Sequence, residues 1–587
     1  MAVAGATPQD VGVELGKQVS TASERPKWGS RGQFIMVLMG YAIGLGNIWR
    51  FPYMCGKYGG GAFMIAYLVS LFCIAAPLFV FETVLGHKYQ LGPVGTFTNM
   101  YAPWAGVAYV SIIMTCVILT YYQALLGWAV IYFVQSFAAK LPWHPDECGG
   151  CTTGDYFGQT VLNAASFGDE GGWDVQGKLF LALMAVWFVT WLALIGGKNV
   201  LGKIAYFTVL FPVLLLVIIF CKAVTLEGAG DGVAYYITPD MSHLTKANTW
   251  SAAASQILFS LSPAMGTAIA MSSYHEKSYD RLLQDNLVII CCNSCFSMFG
   301  GFAVFSIVGY LAEQRGLPVE QVASAGTGLA FDVFAEVLTL FPGGSSPFFS
   351  VCFFFMLLLL GLDSAFAFVE TLQTYVVDFI QHKRPDLEIT PKMNMMIVSA
   401  LAFGLFLIGI VYTTRVGSNL LDIADHFCPT YCLLFVALVE YVLIAWKYGA
   451  EKMIQDIQNC APPQWQQYIP VKAATIQMKY VGPVGISFIL LMALIDEFSG
   501  DSLIANESGW KTYGGYPTGV TICLGWGSVA IPVGYFFFSV IRAHMTGVTT
   551  PEQPAVEDVK KANTSQTVST KADENTTPPN EPSGSDQ

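Results

Sequence analysis

GYAIGLGNIWRFPYMCGKYGGG, residues 40–61, begins in the middle of a long apolar run and decides how the whole chain is read. Where a lipid-facing helix would carry Leu and Val, it places Gly44, Gly46, the amide of Asn47, the guanidinium of Arg50 and Pro52. Glycine weakens a helix and proline removes a backbone donor, so the stretch predicts a helix that breaks partway across a bilayer. Inside hydrocarbon such a break is tolerated where the freed backbone lines a cavity or binds something. The competing reading is an inert, kinked span whose glycines serve close helix packing.

The rest of the 587 residues supports a membrane setting. The chain is 54% hydrophobic and 14% aromatic with 12% charged residues, and its mean hydropathy is +0.52. That composition is polytopic membrane protein. A formal net charge of −12 argues against a nucleic-acid partner. The polar N-terminus, 1–24, lacks a cleavable signal pattern, so the first span is expected to direct insertion. Runs long enough to cross about 30 Å of hydrocarbon fall near 33–56, 62–86, 106–137, 178–195, 203–224, 252–273, 286–311, 347–380, 393–412, 418–446, 478–495 and 518–541. Twelve spans are therefore expected.

Basic residues gather at alternate turns, at Lys27 and Arg31, Lys88, Lys198, Lys277, Lys383, Lys447 and Arg542, which predicts both termini in the cytoplasm. The loop after the third span is acidic, with Asp146, Glu147, Asp169 and Glu170, as suits the outer face. Its Cys148 and Cys151 are expected to form a disulfide there. Most other cysteines lie in apolar runs and read as packing. Asn506 opens a glycosylation sequon in an outward loop. Residues 545–587, rich in Thr, Ser, Pro, Asn and acid, read as a disordered cytoplasmic tail.

The sixth run holds Ser260-Leu-Ser-Pro-Ala-Met-Gly266, with Pro263 placed to clash with the carbonyl of Phe259. Interrupted helices at corresponding positions, first and sixth, point to a transporter site between two halves of an inverted repeat. Asp363 lies inside the otherwise apolar eighth run, where a carboxylate without compensation costs several kcal/mol. It is expected to meet a cation, a proton or a hydrogen-bond donor.

These residues resemble one family. The first-span stretch, continued to GAF, looks like the signature of the neurotransmitter:sodium symporters, sodium- and chloride-coupled carriers of amino acids, monoamines and osmolytes. SQILFSLSPAMGTAIAMSSY in the sixth run, FFFMLLLLGLDSAF in the eighth and Tyr121-Tyr122 in the third match it further. The resemblance runs over 25–544 and implies an all-α polytopic fold of twelve transmembrane helices. Five-plus-five inverted repeats, about 30–224 and 250–446, would be followed by two extra helices at 478–541.

By that resemblance, a first sodium site would use the Ala42 carbonyl, Asn47, Ser260, Asn293 and a carboxylate of the substrate. A second would use the carbonyls of Gly40, Ile43 and Leu360 with Asp363 and Ser364; oxygen ligands suit a hard cation. Chloride would sit among Tyr67, Gln256, Ser260, Asn293 and Ser297, all hydrogen-bond donors; a polar helix contact bonded internally is the alternative. Arg50 would pair with Asp425, or with Asp422 one turn earlier, as an outer gate. Phe259 and Tyr122 would form a lid, and Arg25, Trp28, Tyr274 and Asp378 would seal the inner path. Static surface pairing is the plainer reading of these charges.

Monoamine carriers of the family place aspartate where this chain has Gly44, so the implied substrate brings its own carboxylate. Gly46, Ile118, Ser262, Ala264, Met265, Ala365, Ala367 and Phe368 would line the remainder of its pocket and leave little room. A small neutral zwitterion follows, glycine or alanine first, with GABA, proline, betaine and taurine as alternatives. A membrane receptor that binds without transporting is the competing class. An enzyme is not expected, since the seven histidines form no catalytic or metal grouping. Ala66 before Tyr67 and the short outer loop around Cys148 depart from the family pattern. Oligomeric state is not readable from these motifs.

Overall fold

The computed structural model describes residues 27–323, 331–341, 344–499, 503–504, 512–513 and 516–548. The expectations for the N-terminus up to Arg25, for the Asn506 sequon and for the tail beyond 548 lie outside these residues. Apart from a two-stranded ribbon, Leu503–Ile504 with Thr512–Tyr513, the described elements are helical.

Ten helices are individually long and apolar enough to cross a bilayer: Gly61–Tyr89, Val107–Gln135, Gly177–Ile195, Lys198–Ala223, Leu282–Arg315, Ser346–Lys383, Pro391–Thr413, Gly417–Asn459, Val471–Phe498 and Thr518–Met545. They coincide with ten of the twelve runs. The other two are the broken ones. The first is the pair Arg31–Ala42 and Gly46–Lys57, bent by 50°. The sixth is Ala247–Leu261 followed by Thr267–Ser272, each too short to cross alone. We number the segments as spans one to twelve in chain order.

The sixth span breaks sharply. Ser262, Ala264 and Gly266 take φ of 52°, 64° and 73° around Pro263, a left-handed run that no α-helix accommodates. The tenth span continues past its expected end to Asn459, with Gly449 at φ 102° before its last segment, Ala450–Asn459. That segment buries Met453, Ile454 and Ile457.

Burial orders the spans. Spans three and eight are 83% buried over their apolar windows, whereas nine, eleven and twelve are 28, 28 and 22% buried. The first pair form the inner wall and the last three face outward. Span eight packs along spans one, three and five, which brings the break of span one against the polar residues of span eight. Two cysteines expected as packing, Cys221 and Cys291, lie on exposed faces instead. Cys148 and Cys151 are disulfide-bonded.

Candidate functional site

The break in span one is made by the chain's own geometry. Helix ends at Ala42, and Ile43 is extended at φ −87°, ψ 91°. The Gly44 N–H then donates to Asn47 Oδ1 at 3.0 Å and not to the Gly40 carbonyl. The last carbonyls of the helix, those of Gly40, Tyr41 and Ala42, are left without i+4 donors. They face span eight, where Ser364 Oγ donates toward Gly40 O at 3.4 Å and Tyr41 O at 3.3 Å.

Asp363 stands beside them. A Cβ on Gly40 would lie 2.7 Å from Asp363 Oδ2, so only glycine admits this approach. Thr208 of span five donates to the other oxygen, Asp363 Oδ1. The Gly40 carbonyl, the Ser364 hydroxyl and the buried Asp363 carboxyl bring together oxygens of the kind a sodium ion takes, and Ile43, whose carbonyl belongs to the expected set, stands at the break. Leu360, whose carbonyl completes the expected set, is buried one turn before Ser364.

A second polar cluster lies on the other side of the break. Asn47 Nδ2 donates to Asn293 Oδ1 at 2.8 Å, Ser297 Oγ at 2.7 Å and Ser260 Oγ at 3.1 Å. Asn293 Nδ2 donates to Ser260 Oγ at 3.1 Å. Gln256 Nε2 donates to the Gly46 carbonyl at 3.1 Å, and Tyr67 Oη meets Ser294 Oγ at 3.4 Å. Asn47, Asn293, Ser260 and Ser297, drawn from the residues expected for the first sodium site and for chloride, thus form one buried network and bond one another, while Gln256 and Tyr67 bond Gly46 and Ser294 beside it.

Between the clusters lie residues expected to bind substrate. A Cβ on Gly44 would lie 2.9 Å from Ser364 Oγ and 3.7 Å from Tyr122 Oη, and one on Gly46 would lie 3.6 Å from the Phe259 ring. Phe368 stands edge-on to Tyr41 at 5.6 Å and to Tyr122 at 6.4 Å. Ile118, Ala264, Met265, Ala365 and Ala367 are all buried here. Tyr41 Oη donates to the Ser262 carbonyl at 2.7 Å, tying the two broken spans together.

The residues expected as gates are placed unevenly. Arg50 lies over the Phe259 ring at 4.9 Å, while Asp425 accepts from Tyr121 Oη at 2.7 Å and Asp422 from Tyr516 Oη at 3.0 Å. Neither acid is paired with Arg50 in this arrangement. At the opposite end, Trp28 Nε1 donates to Met271 O at 3.0 Å and the Trp28 ring meets Tyr274 edge-on at 6.0 Å. Asp378 Oδ2 accepts from the Gly92 amide at 2.7 Å. Lys198 sits 3.8 Å over the Tyr274 ring and pairs with Glu370, both side chains buried.

Sequence reasoning missed Thr208, Tyr41 and the Lys198–Glu370 pair. A threonine in an apolar run, a lysine at the start of span five and a glutamate inside span eight were the available signals.

Comparison with known proteins supplies the class of molecule. A model described as the sodium:neurotransmitter symporter family matches residues 25–153 and 149–542. The human sodium- and chloride-dependent GABA transporter 2 is 34% identical over 475 residues, 76% of each chain. The bovine sodium- and chloride-dependent taurine transporter is 34% identical over 478 residues, 76% of this chain and 75% of its own. The mouse sodium- and chloride-dependent neutral and basic amino acid transporter B(0+) is 33% identical over 522 residues, 80% of each. With the two broken spans and the polar network between them, these matches make this multi-pass protein a transporter and not an enzyme: the chain belongs to the sodium:neurotransmitter symporter family.

Proposed function

We propose that the protein carries a small neutral zwitterion across the plasma membrane together with sodium and chloride, by alternating access. The observation behind this reading is the bare Cα of Gly44, wedged against Ser364 Oγ and Tyr122 between the two polar clusters. No side chain at Gly44 supplies a carboxylate, so the substrate's own carboxylate fills that position.

In this reading, Ala42, Asn47, Ser260, Asn293 and the substrate carboxylate hold one sodium. Gly40, Ile43, Leu360, Asp363 and Ser364 hold a second, and Thr208 orients Asp363. Chloride takes the donors of Tyr67, Gln256, Ser260, Asn293 and Ser297, with its charge offsetting that of the sodium. Ions bound at the breaks draw spans one, six, seven and eight together, because each site takes ligands from more than one of them.

Both termini are cytoplasmic, so the Trp28 and Tyr274 end is the inner one. It is the better sealed: Trp28 and Tyr274 are 9% and 4% exposed, whereas Asp425 at the other end is exposed. Closing of Arg50 onto Asp425 over Phe259 and Tyr122 would complete the occluded state, after which the inner seal opens.

Phe368, Met265 and Ala264 crowd the far end of the pocket, which favours glycine or alanine. The GABA and taurine carriers among the relatives favour an ω-amino acid as the second reading. Competition of glycine, alanine, GABA, proline, betaine and taurine against uptake by transfected cells separates the two. Inhibition by glycine and alanine alone supports the first, and inhibition by GABA or taurine alone supports the second. Binding of any of them with no transport would mark a receptor.

A further inference from the structure

Glu82 of span two and Glu440 of span ten are both 0% exposed, and none of their four carboxyl oxygens closes a hydrogen bond. Sodium, chloride and substrate use neither residue. We propose that the two glutamates form a proton-binding site, with one proton held on Glu440 and shared toward Glu82.

Packing puts them together. The Phe81 and Tyr441 rings meet edge-on at 5.8 Å, and Tyr441 Oη donates to Ile74 O at 2.6 Å. Two turns further along both spans, Lys88 Nζ donates to Tyr448 Oη at 2.6 Å. Contacts that repeat at the same interval in each helix mean that spans two and ten run side by side in one direction. Glu82 and Glu440, the chain neighbours of Phe81 and Tyr441, lie at one level of that seam and act on one another electrostatically.

Charge decides what such a pair takes. An ionised carboxylate inside a bilayer costs several kcal/mol, and two of them side by side also repel. Among the described residues no Lys, Arg or His pairs with either carboxyl. The other titratable groups in reach are Tyr41 of span one and Tyr441, and both hydroxyls are committed, to Ser262 O at 2.7 Å and to Ile74 O. No third acidic, His or Cys side chain among the described residues joins the pair to complete a metal's shell, whereas two carboxyls suffice to hold a proton between them.

The two sides of the pair differ. The backbone amides of Ala264 and Gly266, at the left-handed break of span six, act on Glu82, so negative charge is better placed there. Glu440 has only Glu82 beside it and keeps the proton. The site ties the break of span six to span ten, which also carries Asp425, and losing the proton would leave two like charges between spans two and ten.

Infrared spectroscopy of the purified full-length protein in sodium chloride at pH 7.5 is the test. It needs no transport, so its outcome is separate from that of the symport reading. A protonated-carboxyl C=O band is expected, moving to lower frequency when the glutamates carry carbon-13 carboxyls; a band from Asp363 would not move. Glu440→Gln should lose the band. Glu82→Gln should keep it at a shifted frequency, because the proton's neighbour has changed, and Glu451→Gln, at an exposed position, should leave it as in the wild type. Absence of a glutamate band from the wild type would mean that both carboxyls are ionised around some other cation and would overturn the proton site. A band that survives in Glu440→Gln, an unshifted band in Glu82→Gln, or an equal loss in Glu451→Gln would overturn the assignment to this pair. If Glu440→Gln does not fold, the label shift in the wild type and the band in Glu82→Gln decide.

Discussion

Asp363 and Gly40 touch across two spans: the carboxylate Oδ2 lies where a methyl on Gly40 would be, 2.7 Å from the position of its Cβ. The contact puts a buried carboxyl group beside the end of a broken helix, whose Gly40 and Tyr41 carbonyls Ser364 Oγ also reaches, and Thr208 holds the other oxygen. Thr208→Val removes that donor and leaves the rest of the second sodium set in place. A hydrogen bond to a charged group contributes about 1.5–3 kcal/mol. At about 1.4 kcal/mol per factor of ten, the sodium concentration for half-maximal uptake should therefore rise roughly ten- to a hundredfold, measured by sodium titration, whereas Gly40→Ala should abolish uptake. An unchanged sodium titration in Thr208→Val would mean that Thr208 only packs.

Gly44→Asp should abolish uptake of the amino acid. The new Cβ meets Ser364 Oγ at 2.9 Å, and the new carboxylate takes the place meant for the substrate's. Gly44→Ala, with the crowding but not the charge, should retain part of it. Normal uptake by Gly44→Asp, measured at matched surface expression, would move the substrate elsewhere.

Ser297 Oγ lies 2.7 Å from Asn47 Nδ2, so an anion held by Ser297 would act directly on a residue of the first sodium set. Replacing chloride with gluconate should impair uptake by the wild type. Ser297→Glu, which supplies a fixed negative charge, should be less sensitive to the replacement. Indifference of the wild type to gluconate would leave the cluster as an internally bonded helix contact.

Ala264 holds φ 64° and is fully buried. A non-glycine residue there carries about 1–2 kcal/mol of strain. Ala264→Gly should relieve it and widen the pocket by one methyl. A larger aliphatic amino acid should then compete for uptake better than it does against the wild type. No change in the competition profile would place Ala264 outside the pocket.

How much of this was legible in the sequence depends on whether the signal is local. Span positions and both breaks could be read, because an apolar run, two glycines or a proline act within a few residues of themselves. The disulfide of Cys148 and Cys151 was equally local. Pairings across the bundle could not be read. Thr208 reaches Asp363 over 155 residues, Tyr121 reaches Asp425 over 304 and Lys198 reaches Glu370 over 172, and nothing in the periodicity of either partner names the other. Arg50 was expected to meet an acid and is found over Phe259, another pairing between distant stretches that neither stretch encodes.

His275 makes the sealed end sensitive to acid. It is buried against Phe34, Tyr279 and His87, and Lys27 donates to its carbonyl. Burial, then the neighbouring His87 and Lys27 charges, push its pKa down from 6.5 to about 3. The folded state thus keeps the ring neutral while an unfolded or opened chain binds a proton below about 6.5. Stability from this group is present above pH 6.5 and is lost progressively as pH falls from there toward 3. The unfolding midpoint should drop between pH 7.5 and 5.5, and His275→Gln should flatten that drop. The same pH profile in both would remove His275 as its source.

The central claim is sodium-coupled uptake, and proteoliposomes test it most directly. Purified protein is reconstituted, and accumulation of a labelled mixture of glycine, alanine, GABA and taurine is followed with sodium chloride or choline chloride outside. Concentrative uptake in sodium that vanishes in choline is the predicted result. Full accumulation in choline would contradict the account.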